Sequence, residues 1–153
     1  MSSINKQISI EQAALEGVSI DFEQMNNGEK RFRLLHSEGS SYCLTIASKD
    51  GAWQNSHYHK NALEVYVVDQ GWVVYASLQG GNLDMKIVKE GEHILVPQGV
   101  HHNIYMSEHS KIHTIKLGQK SDEIDWYGSE QLDLLTKNVS EIEIKRWINN
   151  VKT

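Results

Sequence analysis

The chain has 153 residues, a formal net charge of −5 and a hydrophobic fraction of 39%, which together fit one domain around one core. No basic stripe suits a phosphate backbone, and no apolar run approaches the roughly 18 residues that span a bilayer, so neither nucleic acid nor membrane is expected as a partner. The opening MSSINKQISIEQ lacks the basic-then-apolar pattern of a secretory leader, and one cysteine, Cys43, cannot build an intrachain disulfide; a cytoplasmic location is expected.

Residues near Ile10 to Gly17 suit one short helix or an arm that adds a strand. Strand patterns then follow at short intervals. KRFRLLH (Lys30 to His36) puts Phe32 and Leu34 on one face, and Ser41 to Ser48 alternates Tyr42, Leu44 and Ile46 with smaller or polar residues. Cys43 in that strand reads as a small apolar residue. LEVYVVDQ and WVVYASLQ are split by Gly71, and Gly80-Gly81-Asn82 marks a hairpin turn before LDMKIVK. HILV, HNIYM and IHTIKL complete the series. Helical crossovers are missing between these runs, so an all-β antiparallel barrel or sandwich is expected rather than a parallel βαβ sheet.

The barrel core is expected over about residues 30 to 118, followed by a helical extension over about 121 to 151. Leu132, Leu135 and Val139 share one helical face; Ser140 with Glu143 forms a capping box, and Ile144, Trp147, Ile148 and Val151 share the next face. These helices would pack on the outside of the barrel or on a second subunit. WVVYASLQ is apolar on both faces, so it wants cover on each; a homodimer or the chain's own C-terminal helix would supply it. No linker or repeat divides the chain, which reads as a single domain, 1–153.

The chemistry concentrates in GAWQNSHYHKNALEVYVVDQG and GEHILVPQGVHH. His57 and His59 stand two apart, and alternate strand residues share a face. Glu64 would share the face of Tyr66 and Val68, and His102 that of Ile104 and Met106. Three imidazoles and a carboxylate suit one divalent transition metal, with Fe, Mn, Co, Ni and Zn all acceptable. Four protein ligands in an octahedral shell leave two open positions.

These two blocks resemble the motifs of the cupin superfamily. The first fits G-x5-H-x-H-x4-E-x6-G from Gly51 to Gly71, and the second fits G-x5-P-x-G-x2-H from Gly91 through Pro97 and Gly99 to His102. The family usually has an asparagine four residues after the second motif's histidine, where this chain has Met106. The resemblance implies a single-domain, RmlC-like jelly-roll barrel with a metal in its mouth on His57, His59, Glu64 and His102.

Other residues carry weaker expectations. Alternation points His101 and Lys60 outward. His113 shares a face with Ile115 and Leu117, which suggests that it points inward, as an acid/base group near the metal, a hydrogen-bonding support for a ligand, or a core histidine. His36, His93 and His109 read as surface or turn residues. Trp53, Tyr66, Ile104 and Met106 are candidate lining residues of a partly apolar, aromatic pocket. No arginine or lysine is clearly placed inside the barrel, so an anionic substrate has no visible anchor. The expected function is that of a metal-dependent enzyme acting on a small organic molecule, an oxygenase or a sugar isomerase or epimerase; the alternative is a non-catalytic protein that binds or senses such a molecule.

Overall fold

The computed structural model describes residues 8–16, 21–35, 39–118 and 124–151. His36 and the side chains of Leu34, Ile148 and Val151 lie outside that description. The chain opens with helix α1 (Ile10–Leu15), capped by Ser9 Oγ accepting from the Gln12 N–H, and strand β1 (Phe22–Gln24). The next strands are β2 (Lys30–Leu35), β3 (Ser40–Ile46), β4 (Ala52–Trp53), β5 (His57–Tyr58), β6 (Leu63–Gln70) and β7 (Trp72–Gln79). Then come β8 (Asn82–Lys89), β9 (His93–Val96), β10 (His101–Met106), β11 (Lys111–Leu117), β12 (Tyr127–Gly128), and helices α2 (Glu130–Thr136) and α3 (Glu141–Val151).

The strands form two antiparallel sheets. The first runs β1-β2-β3-β11-β6-β9; the second runs β12-β5-β10-β7-β8, with β4 also paired to β10. Thus β1 and β12 extend the sheets beyond the limits expected from the sequence. Gly80 and Gly81 both have positive φ (57° and 79°) and join β7 to β8 as a two-residue hairpin, which residues with a Cβ would strain. Gly71 (φ 76°) joins β6 to β7, and a Cβ there would stand 2.9 Å from Ser110 Cβ.

The main core lies between the sheets. Tyr66, Val68, Ile94, Val96 and Ile112 from the first sheet meet Val73, Tyr75, Val88, Ile104 and Met106 from the second. Two smaller clusters lie on the outer faces. Phe32 is buried with Ile8, Ala13 and Phe22, so α1 and β1 cover the outside of β2 and β3. Val74 and Tyr105 are buried with Ile144 of α3, against Trp53, Trp72 and Val139. Full burial of Ile144 contributes about 2 kcal/mol.

This second cluster settles the cover of β7. Its outer face is packed by the chain's own C-terminal segment, one of the two covers expected for it. The capping box forms as expected: the Ser140 N–H donates to Glu143 Oε2 at 2.7 Å, and the Glu143 N–H donates to Ser140 Oγ at 3.3 Å. In α2 the expected face is corrected. Leu135 is 42% exposed and Trp147 of α3 is 41% exposed, whereas Thr136 is buried with Leu132. Thr136 Oγ1 donates to the Leu132 carbonyl at 2.7 Å and accepts from Asn103 Nδ2 at 3.2 Å, so a hydroxyl with satisfied bonds occupies the place predicted for an apolar side chain. Among the described residues, no helix is long and apolar enough to cross a membrane.

Candidate metal centre

His57 of β5 and His102 of β10 are direct cross-strand partners, which sets their imidazoles side by side on the inner face of the second sheet. His59 follows at the end of β5, and Glu64 projects from β6 of the opposing sheet. All four are buried, and one ligand atom from each lies within 4.8 Å of those of the other three.

The imidazoles are oriented alike. Nδ1 faces the carbonyl of Asn55 at 2.8 Å in His57, that of Val100 at 2.9 Å in His102, and that of Asp125 in His59. A carbonyl only accepts, so Nδ1 carries the proton and the neutral ring turns the Nε2 lone pair toward the centre. Yet His59 Nε2 lies 2.7 Å from Glu64 Oε2, and His102 Nε2 lies 3.2 Å from Glu64 Oε1. Lone pairs at those separations repel unless a cation sits among them. Burial opposes an extra proton: the His57 imidazole is pushed down to about 3, first by burial and then by its neighbour His102. Burial also works against charge on Glu64, but the polar contacts of its oxygens with His102 and His59, together with the nearby Lys116 ammonium, outweigh it and hold the carboxyl well below its usual range. The donor set therefore fits a divalent metal ion, which satisfies three lone pairs and a carboxylate at once.

Two residues of the segment after β11 complete the site. The Asp125 carboxylate accepts from the backbone N–H groups of Lys60, Asn61 and Ala62 at 2.7, 2.8 and 2.8 Å, clasping the bend between His59 and Glu64. Burial opposes its ionisation, but these donors prevail and keep its pKa below the ordinary value. Its own carbonyl orients His59. Trp126 stacks on His57, with centroids 5.2 Å apart and planes at 21°. Neither residue carries a sequence signal, because both reach the site from about 60 residues beyond the motif they support.

A cavity of about 430 Å³ opens beside His57 and Glu64, lined in part by Tyr66 and Trp126. Tyr66 Oη is 3.3 Å from His102 Nε2, and burial holds its hydroxyl protonated, with a pKa well above the phenol range. Of the four expected pocket residues, only Tyr66 lines this cavity. Ile104 and Met106 do face inward but belong to the closed core. Trp53 lies on the outer side, where Nε1 donates to the Val139 carbonyl at 3.0 Å and the ring meets Tyr105 edge-on.

The opposite wall of the cavity is cationic, which corrects the sequence reading. Strand register places Arg31–Thr45–Ile112–Val68, Arg33–Cys43–Thr114–Tyr66 and Ser41–Lys116–Glu64 in successive cross-strand rows on the inner face of the first sheet. Arg31, Arg33 and Lys116 all line the cavity, as does Cys43. Arg31 is clamped on buried Glu29 at 2.9 Å, Arg33 Nε lies 3.4 Å from Glu23, and Lys116 Nζ lies 3.7 Å from Glu64 Oε2.

The same register turns His113 outward. It pairs with Leu44 and Val67, hydrogen-bonds Tyr42 and lies 3.8 Å from Asp69, away from the four ligands. The expected inward face of β11 was one residue out of phase: Ile112, Thr114 and Lys116 point in. His101 and Lys60 point outward as expected. His101 stacks on Tyr58 and bonds Ser129 Oγ at 2.7 Å, and Lys60 lies over the Tyr127 ring. His93 and His109 are exposed.

No family model matches the sequence. No curated protein matches it either. Solved structures do share its fold. KdgF from Halomonas sp. aligns with a TM-score of 0.57 at 16% identity, over 78% of this chain and 97% of that one. An oxalate oxidase in complex with the substrate analogue glycolate aligns at 0.54 and 20% identity, over 64% of this chain but 54% of that one. A cupin superfamily protein from Desulfitobacterium hafniense aligns at 0.53 and 18% identity, over 61% of this chain and 80% of that one. With its two antiparallel sheets and a buried His-His-Glu-His group at the barrel mouth, the chain has the cupin fold.

Proposed function

We propose that this protein is a mononuclear metalloprotein that holds one divalent transition metal on His57, His59, Glu64 and His102 and acts as an enzyme on a small organic molecule bound in the adjoining cavity. One observation carries the reading: three imidazoles, each with Nδ1 tied to a backbone carbonyl, aim Nε2 at one buried carboxylate beside a cavity of about 430 Å³. Such a volume suits a small ligand. A purely structural ion would not need an open cavity beside its ligands.

When bound, the metal would supply Lewis-acid or redox chemistry, polarising a coordinated oxygen or reacting with dioxygen. The protein's own part is positioning. The Asp125 clasp fixes the bend that carries His59 and Glu64. Trp126, stacked on His57, shields one side of the centre from water. Tyr66 keeps its proton and offers an O–H donor at the cavity wall. An isomerase or epimerase needs a base beside its substrate, and His113 does not serve, because it lies on the outer face. Dioxygen-dependent chemistry on a redox metal needs no such base, and the likeness of the fold to an oxalate oxidase supports testing oxygen consumption first.

The test is elemental analysis of untagged protein purified without chelator, beside His57→Ala and His102→Ala. About one equivalent of metal in the parent, lost in both variants, is expected. Iron or manganese would direct the assay to oxygen uptake, and zinc or nickel to isomerisation and hydrolysis. Protein that takes up no metal, even on reloading, would leave a non-catalytic binding barrel as the better account.

A further inference from the structure

We propose that the cavity takes a small organic carboxylate, with the anionic end held by Lys116 and Arg33 and the rest directed toward the metal. The proposal deepens the metal reading above and rests on it for the charge balance.

The three cations of the wall are not equivalent. Arg31 gives both Nε and Nη2 to Glu29, itself buried and bonded to Gln54, so its charge is neutralised in a close structural pair. Arg33 Nε is buried without a hydrogen-bond partner among the described residues, although Glu23 lies 3.4 Å away. Lys116 Nζ has Glu64 as its nearest carboxylate at 3.7 Å, beyond hydrogen-bond distance, and Glu64 is already engaged by His59 and His102. Arg33 and Lys116 therefore both line the cavity and keep donors that no hydrogen bond among the described residues occupies.

Their separation suits one shared anion. They project from β2 and β11, with β3 between them. Neighbouring strands lie about 4.8 Å apart, so the two backbones stand roughly 10 Å apart. Long side chains leaning inward can close on one carboxylate. Ser41 and Thr114, in the same rows, add hydroxyl donors.

Charge points the same way. Glu29, Glu23 and Glu64 balance Arg31, Arg33 and Lys116 one for one, and Asp125, clasping the bend behind His59, adds one further negative charge. A divalent ion on the four ligands would add two positive charges to a largely buried space, where uncompensated charge is costly. An anionic substrate supplies the missing compensation. A carboxylate fits better than a phosphate, because among the described residues no helix N-terminus lines the cavity. Trp126 at the wall provides a surface for an organic body.

The test is calorimetric titration of protein of measured metal content with malonate, succinate and benzoate, with neutral malonamide and xylose, and with inorganic phosphate. Lys116→Met, Lys116→Arg and Arg33→Gln would be titrated in parallel, their folding checked by melting. At least one carboxylate should bind the parent, and affinity should fall at least about tenfold in Lys116→Met and Arg33→Gln, at unchanged metal content. Lys116→Arg should recover most of the loss. Neutral compounds binding as well as carboxylates, phosphate binding more tightly, no carboxylate binding at all, or variants that bind like the parent would each overturn the proposal. Lys116-dependent carboxylate binding by a chain that takes up no metal would sink the metal reading and keep the anion site; a metal-loaded chain indifferent to ligand charge would do the reverse.

Discussion

The two ends of the inner barrel surface are built on opposite rules. Beyond the ligands Glu64 and His102, the inward residues of β6, β7, β9 and β10 are mainly apolar: Val68, Val73, Tyr75, Ile94, Val96 and Ile104 close a dry core. On β2, β3 and the mouth end of β11, inward residues are Arg31, Arg33, Ser41, Cys43, Thr45, Thr114 and Lys116. There the apolar residues face out, with Phe32, Leu44 and Ile46 packed under α1 and β1. The first region stabilises the fold through burial; the second gives up burial to build a polar wall. A strand in the second region keeps a clean period of two but inverts its meaning.

The largest test of this contrast is metal removal. The His-Glu group holds buried lone pairs and a carboxylate that an ion would compensate, whereas the dry core needs none. An ion present at a thousand times its dissociation constant stabilises by about 4 kcal/mol, which for a chain of this size is about 10 °C in melting temperature. Chelator-stripped protein should melt lower by about that much. Hydrogen exchange should then rise at His57, His59 and Glu64 before it rises in β7 and β8. Uniform loosening of both regions would break the contrast.

Next come paired substitutions across the divide. Ile104 is fully buried in the dry core, and Ile104→Ala should cost about 2–5 kcal/mol by lost burial and a cavity. Thr114→Val, on the polar wall, should cost less than about 1 kcal/mol, because its neighbours there are a cavity and polar groups. Denaturant melts of the two variants with equal slopes would read the difference directly. Equal costs would mean that the wall packs as tightly as the core.

Asp125 then sharpens the boundary between them. Asp125→Asn keeps an acceptor but loses the charge that binds three N–H groups, so metal affinity should fall about 10- to 100-fold, as for other residues that orient ligands. The sign with pH follows from its lowered pKa. Its stabilising effect is complete above the ordinary value of 3.8 and is lost as pH falls through the lower folded value. The stability gap between parent and variant, measured by melting, should therefore close in acid; a gap that persists there would assign Asp125 a role independent of its charge.

The sequence was legible where chemistry and burial agree. The His57, His59, Glu64 and His102 spacing pointed to one buried group, and the structure brings those four side chains together. The Gly80-Gly81 hairpin and the Ser140–Glu143 cap were readable because both are local. The cations were missed because alternation says which residues share a face but not which face is inside. In β2 and β11 the apolar set belongs to the outer layer, so hydrophobicity argues for the wrong side. Asp125 and Trp126 were invisible for another reason: they act through a backbone carbonyl, a backbone clasp and a stacked ring at long sequence separation, and none of these leaves a pattern.

His113 gives the smallest effect and the cleanest check of that inversion. If β11 turned His113 inward, His113→Ala would disturb metal content, ligand binding or turnover. On the outer face it loses a hydrogen bond to and stacking on Tyr42 and a loose contact with Asp69, and its side chain is about a third exposed, 31%. The expected cost is about 1 kcal/mol or less of stability, with metal content unchanged. Lys116, three positions along the same strand, faces Glu64 and the cavity instead. Metal analysis and ligand titration of His113→Ala beside Lys116→Met would compare the two faces of one strand. A loss of metal or ligand in His113→Ala would reverse the assignment of inner and outer faces and, with it, the cationic wall.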